Sequence, residues 1–326
     1  MTAGTIEAAG ALGTGHDRGG VFADRSFRLV AVLSGFSVLV ILALILISTT
    51  QAAWPAFVGQ GLGFFTSTTW DVPNGVFGAV SFAYGTLLTS AIALVLSVPI
   101  SIAIALFVTE VAPLRLRKPA IYSVDLLASI PSVVYGLWGV RVFAPWIDKI
   151  YEAVASAVEG IPGLNVLLSG RPVSGVSFMT AGIIVAIMIT PIISSLTREV
   201  LATVPAAIKD GSYALGSTRW EMIRGVALPY ARGGITASVM IGLGRAMGET
   251  IAVALVIGSA NQVTLRLFSP GDAMAAVIAN QFGESTGEYR AALVGLGVVL
   301  FAITLIINVL ARAWVTRSAR RTGAVA

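Results

Sequence analysis

Arg245 and Glu249 are the residues of this chain best suited to chemistry. The run Arg245-Ala-Met-Gly-Glu249 sets a cation and a carboxylate four residues apart inside an apolar stretch. On a continuous helix that spacing lays both on one face. A charge at mid-bilayer costs about 2.5 to 3.5 kcal/mol on insertion scales, so neither is expected to face lipid. Two roles are open to them. The pair neutralises itself and glues helices together, or the Arg245 guanidinium fork receives an oxyanion, whose oxygens match its paired donors, while Glu249 holds or releases the fork. Gly242, Gly244 and Gly248 thin the helix around them and let another helix or a ligand approach.

Other chemistry is short of residues. There is no cysteine and one histidine, His16 in a polar N-terminal tail, which removes disulfides, thiolate nucleophiles and any His/Cys metal site. No G-x-x-x-x-G-K-[ST] phosphate loop is present. No Ser/His/Asp set can form, and the scattered acids make no paired-carboxylate site. The chain is therefore expected not to be an enzyme. Asp125 follows Lys118 by two turns and reads as an inner-interface residue, while Arg141 and Arg290 sit where long side chains can snorkel.

The elements that must position Arg245 and Glu249 are membrane helices. Hydrophobic residues make up 56% of the chain and charged residues 11%, and the mean hydropathy is +0.89; this is the composition of an integral membrane protein. Six stretches reach the roughly 20 residues needed to cross a hydrocarbon core. They lie near 29–50, 81–108, 120–146, 177–197, 234–258 and 290–312. Pro99, Pro131 and Pro191 fall inside three of them and predict kinks or breaks. The first stretch is too long for a secretory signal and is expected to stay uncleaved.

The loops orient these spans. Of 21 Lys and Arg residues, 15 lie in the two tails and in the loops after the second and fourth spans, whereas the opposite loops hold Lys149, Arg171 and Arg266. The positive-inside rule then places both termini in the cytoplasm. The net charge of +5 and pI near 9.8 follow from this dispersed pattern, with no basic folded domain for nucleic acid. The expected divisions are a flexible cytoplasmic tail over 1–28, a first span with its outer loop over 29–76, a core with five further spans over 77–312, and a basic cytoplasmic tail over 313–326. The outer loops approach 30 residues each, long for bare connections. The aromatics of the first, Trp54, Phe57, Phe64, Phe65 and Trp70, read as an interfacial belt.

One inner loop has a pattern of its own. Lys209-Asp-Gly-Ser-Tyr-Ala-Leu-Gly216 is followed nine residues later by Val226-Ala-Leu-Pro229. A short helix from near Asp210, a turn at Gly216, a charged segment with Arg219, Glu221 and Arg224, and a stop at Leu228-Pro229 describe an elbow that carries a push from a partner.

That elbow resembles the cytoplasmic loop of ABC-transporter permeases, with Gly216 and Leu228-Pro229 in register. Asp210-Gly211-Ser212 stands where that loop has Glu-Ala-Ala, and Val226 stands for Ile. Five further stretches in order, Ile130–Gly139, Thr190–Val200, Tyr213–Glu221, Gly244–Val253 and Ala275–Asn280, resemble the phosphate ABC transporter permeases of the PstC type. Ile-Ala-Val after Gly-Glu-Thr separates the chain from the PstA type, which continues with Ala-Pro. The resemblance implies an all-α integral membrane protein with six transmembrane helices, the ABC importer permease fold and a cytoplasmic coupling helix. It implies a multi-pass subunit of a bacterial inner membrane that binds no cofactor and pairs with a PstA-type permease. Its further partners would be a homodimeric PstB-type ATPase using ATP and Mg, a PstS-type extracytoplasmic phosphate-binding protein, and membrane lipid. Arg245 and Glu249 would line the substrate path, and Asp210, Gly216, Glu221, Leu228 and Pro229 would couple to the ATPase. Permeases for sulfate, molybdate or tungstate, a proton-coupled carrier using Glu249, and a membrane sensor are the alternatives.

Overall fold

The computed structural model describes residues 18–169 and 173–321, with side chains for 25–169 and 174–313. His16, Arg171 and the end of the C-terminal tail lie outside the described residues, as do the side chains of Arg18, Arg317, Arg320 and Arg321. The chain divides into two compact units, 1–51 and 52–326. Helix α1 (Arg18–Gln60) starts ahead of the boundary expected at 29 and carries the apolar run of the first span.

Helix α2 (Gly63–Thr66) leads into a two-residue hairpin, β1 (Trp70–Asp71) and β2 (Val76–Phe77), paired antiparallel with Trp70 opposite Phe77. Its turn is tied by Asp71, whose carboxylate accepts from the backbone and side-chain N–H of Asn74. Phe64 and Phe77 are buried and pack with Phe82, Met274 and Leu293, and the Trp70 ring stands edge-on to Phe77 and Phe82. These rings therefore form a core under the outer loops, correcting the expectation of an interfacial belt; Trp54 and Phe65 do remain exposed.

Helix α3 (Val80–Leu106) continues through a π turn, Phe107–Val111. Helix α4 (Leu114–Ser129) is followed by α5 (Ser132–Trp138), a π turn and α6 (Ala144–Val158), with an 88° bend at the break. Pro131 sits in that break, where its ring disfavours helix for the residue before it. The Tyr135 hydroxyl donates to the Leu127 carbonyl across the bend at 2.8 Å, replacing lost helix bonding. Pro99 and Pro191, by contrast, lie inside helices that run on unbroken. Helices α7 (Leu164–Leu168), α8 (Phe178–Ala202), α9 (Ala206–Ala214), α10 (Arg219–Met222), α11 (Leu228–Met247), α12 (Ile251–Val256), α13 (Met274–Gln281) and α14 (Gly287–Arg321) complete the fold.

Among the described residues five helices are long and apolar enough to cross a membrane, and the bent α4–α6 pair makes a sixth span if counted as one. The helix that carries the fifth span runs from Arg219 to Met247, beginning ahead of the expected 234–258 and ending short of it. Its charged base, with Arg219, Glu221, Arg224 and Arg232, belongs to the elbow side of that helix.

Helix α8 is the centre of the membrane core, packed against α3, α11, α4 and α12. Small residues allow this. A Cβ at Gly182 would fall 2.4 Å from Ile92, and one at Gly234 or Gly242 would strike Val200 or Ile193. Such positions bring backbones together where lipid supplies no hydrophobic driving force. The Ser101 hydroxyl on α3 donates to the Thr190 carbonyl on α8, adding a bond beside both intrahelical prolines.

Candidate functional site

Arg245 and Glu249 do not share a helix face. Helix α11 ends at Met247, and Gly248 takes a non-helical turn with its N–H on the carbonyls of Gly244 and Ala246. Glu249 lies in the break before α12, where its Oε1 accepts the N–H of Ala252 at 3.4 Å. The expectation of one continuous helix is thereby corrected: helical bonding of α11 ends at Gly248, whose φ of −91° and ψ of 1° lie outside the helix. Each charge has instead found a suitable helix end. Arg245 sits in the last turn of α11, where carbonyls face a cation, and Glu249 sits at the start of α12, where amides face a carboxylate.

The break is held by glycine contacts. A Cβ at Gly136 on α5 would lie 2.9 Å from the Cα of Ala252, and one at Gly139 would lie 2.8 Å from Val256. The span broken at Pro131 thus packs against α12, just past the break at Gly248. Arg245 is exposed on the surface of this chain and Glu249 is half-buried. Gly244, next to Arg245, faces open space and lines a cleft of about 630 Å³ with Thr236, Met240, Asn308 and Arg312.

The elbow forms as two short helices. Gly216 ends α9 with φ +85°, and its neighbour Ser217 donates to the Ser212 carbonyl, as the left-handed turn after a helix requires. Thr218 and Glu221 form a capping box that starts α10: the Thr218 hydroxyl accepts from the Glu221 N–H, and the Glu221 carboxylate accepts from the Thr218 N–H at 2.7 Å. Asp210, Gly216 and Glu221 are exposed. Leu228-Pro229 does not stop a helix. The helix runs on from Arg219 through a π turn at Ile223–Ala227, where the Leu228 N–H reaches the Ile223 carbonyl, and Pro229 follows directly within it.

Sequence reasoning missed three features. Tyr213, Leu215 and Trp220 hold large apolar side chains in the open on the elbow, Leu215 at 90% exposure. Lys209 on α9 donates to Glu110, at the end of the second span, at 2.5 Å. Asp272, in the 257–273 connection outside the spans, is buried, and burial pushes its carboxyl up to about 7. Its Oδ1 accepts the Ala273 N–H at 2.8 Å. Of the remaining candidates, Asp125 and Arg141 are exposed, and the Arg290 guanidinium lies over the Phe282 ring. Among the described residues no three acids or histidines gather as a metal site.

Helical spans, an exposed two-helix elbow between two of them and a cation at the end of the span that follows define a class. The fold is that of ABC importer permeases. It is similar to a bacterial ABC transporter involved in the import of the acidic polysaccharide alginate, with TM-score 0.60 and 18% identity over 90% of this chain and 96% of that one. It is also similar to the inward-facing MetNI methionine ABC transporter, with TM-score 0.51 and 14% identity over 74% of this chain and 95% of that one. The alginate transporter has been solved in complex with a periplasmic protein. Residues 72–323 match the binding-protein-dependent transport system inner membrane components. The chain is a multi-pass membrane permease subunit of an ABC importer and not an enzyme. It is 44% identical over 303 residues to the phosphate transport system permease protein PstC of Mesorhizobium japonicum, covering 92% of each. The probable PstC of Methanocaldococcus jannaschii is 35% identical over 291 residues, 87% of this chain and 91% of that protein. The chain belongs to the PstC family of permeases.

Proposed function

We propose that this chain is the permease subunit of an ATP-driven, high-affinity importer of inorganic phosphate, forming the translocation path with a PstA-type permease. The observation that carries the reading is Arg245, a guanidinium exposed on a membrane span at a helix break. Lipid contact there is costly, so that face is covered by the second permease or by water. In either case the fork is open to a phosphate oxyanion, and its paired donors suit two phosphate oxygens. Glu249, held by the Ala252 N–H on the far side of the break, is the nearest carboxylate along the chain to Arg245 and the proposed partner of the fork when phosphate leaves.

Import of an anion into a negative-inside cell is uphill by about 2.3 kcal/mol per charge per 100 mV. Energy therefore has to enter from outside the chain. The α9–α10 elbow is the entry point, through Asp210, Gly216, Glu221, Leu228 and Pro229. The exposed Tyr213, Leu215 and Trp220 supply the aromatic and apolar anchors that dominate protein interfaces. A homodimeric PstB-type ATPase docks there and uses ATP and Mg. A PstS-type binding protein delivers phosphate to the outer loops. Both termini and the elbow lie in the cytoplasm of a bacterial inner membrane, with residues 77–312 as the permease core.

ATP binding closes the ATPase pair, the elbow passes that displacement to the spans, and the outward-facing path accepts phosphate; hydrolysis reopens the inner side. Arg245→Gln tests the assignment. The complex is expected to assemble and hydrolyse ATP while phosphate uptake is abolished. Full uptake by this variant would remove Arg245 from the path.

A further inference from the structure

Helix α9 buries none of its side chains. Apolar packing of its own residues therefore does little to fix it to the membrane core. A charge contact does more. Lys209 Nζ donates to Glu110 Oε1 at 2.5 Å, with Lys209 19% and Glu110 10% exposed. The two residues are 99 positions apart, on α9 and on the π turn that ends the α3 span. A second π turn lies close by: Met222, Ile223 and Ala227 pack against Leu106, the last residue of α3. π turns disturb helix register and recur at functional sites.

We infer that the Lys209–Glu110 pair is the strut through which displacement of α9 is passed to the α3 span, which makes both positioning residues for transport. The inference rests on the coupling role proposed above for the elbow. A short, charge-assisted bond with both ends largely shielded from water resists stretching better than a solvated surface pair. Its far end is well connected. Helix α3 packs along α8 through the Ile92–Gly182 contact and the Ser101 bond to Thr190. Motion at Glu110 thus reaches the most buried span, and α8 in turn packs against α11 and α12, on either side of the break that holds Glu249. Without the pair, α9 can ride with the ATPase while α3 stays behind.

The test uses the assembled complex in proteoliposomes, with Glu110→Gln and the exchange Glu110→Lys with Lys209→Glu. ATP hydrolysis per PstB-type dimer and phosphate uptake are measured together. Glu110→Gln is expected to keep the ATPase bound and hydrolysing while uptake per ATP falls about tenfold, within the range reported for substitutions along coupling networks. The exchange is expected to recover most of that ratio. An unchanged ratio in Glu110→Gln, or an exchange no better than the single variant, would overturn the strut. The absence of native cysteine permits a second readout that needs nucleotide but no substrate. Spin labels at Ala103→Cys and Ala207→Cys should keep one separation with and without ATP in the parent and change separation in Glu110→Gln; parallel behaviour in both would also overturn it. A parent complex that hydrolyses ATP without taking up phosphate would sink the substrate reading, and the label distances would still decide the strut.

Discussion

Replacing Asp272 with Asn should make this protein more stable above neutral pH, and the structure sets the size of the effect. The segment around Asp272 is clamped: a Cβ at Gly85 would lie 1.8 Å from the Asp272 carbonyl oxygen, and one at Gly271 would strike the Phe178 ring. Gly271 donates to the Ile257 carbonyl and Met274 donates to the Thr86 hydroxyl, so the backbone on both sides is fixed. The carboxyl cannot swing to water, and burial raises it from 3.8 to about 7. Its Ala273 hydrogen bond favours the charged form but does not offset burial. A folded-state value above the unfolded one means the folded protein holds a proton that the unfolded chain has released. This contribution to stability is present in full below about pH 3.8, is lost as pH rises to about 7, and is flat beyond. A shift near three units corresponds to about 4 kcal/mol, at roughly 1.4 kcal/mol per unit. Asn keeps the Oδ1 acceptor for Ala273 and carries no charge. Thermal unfolding in detergent, followed from pH 4 to 8.5, should show a parent Tm that declines toward pH 7 and then levels, relative to Asp272→Asn. The variant should match the parent near pH 4 and exceed it by several degrees at pH 8. A difference between the two that does not change with pH, or a variant less stable than the parent at pH 8, would show that the buried Asp272 carboxyl is not held protonated in the folded protein.

Two further outcomes follow from backbone geometry. Gly216→Ala forces a side chain onto φ +85° at the end of α9, which costs about 1 kcal/mol; ATPase co-purification or uptake per ATP should fall while the spans remain assembled, and unchanged recruitment and transport would count against the elbow. Gly85→Ala places its Cβ against the Asp272 carbonyl, and overpacking of this kind costs about 1 to 3 kcal/mol or more. Its Tm should drop, whereas Gly283→Ala, which meets nothing within 4 Å, should leave the Tm in place.

Local physics made much of this protein legible in its sequence. Apolar length located the spans, and the break at Pro131 follows from a proline's clash with the residue before it. At Pro99 and Pro191 the chain does not break, and both prolines lie inside α3 and α8. The break at Gly248 separates Arg245 from Glu249, and its φ of −91° is open to any residue, so no residue type there announces it. Leu228-Pro229 looks like a stop because Pro ends helices, but the helix from Arg219 runs on through it by way of a π turn that composition does not announce. The remainder is tertiary. Nothing near Glu110 announces Lys209, and Asp272 in a Gly- and Pro-containing connection reads as solvated until Gly85 and Phe178 close over it.

Conduction of phosphate by this chain under power from an ATPase is tested by uptake of labelled phosphate into proteoliposomes containing the chain with its partner permease, ATPase and binding protein, with sulfate and molybdate as competitors. Uptake is expected to require ATP, to survive collapse of the proton gradient and to resist both competitors. An assembled complex that hydrolyses ATP yet moves no phosphate, or whose uptake sulfate or molybdate suppresses, would contradict this expectation.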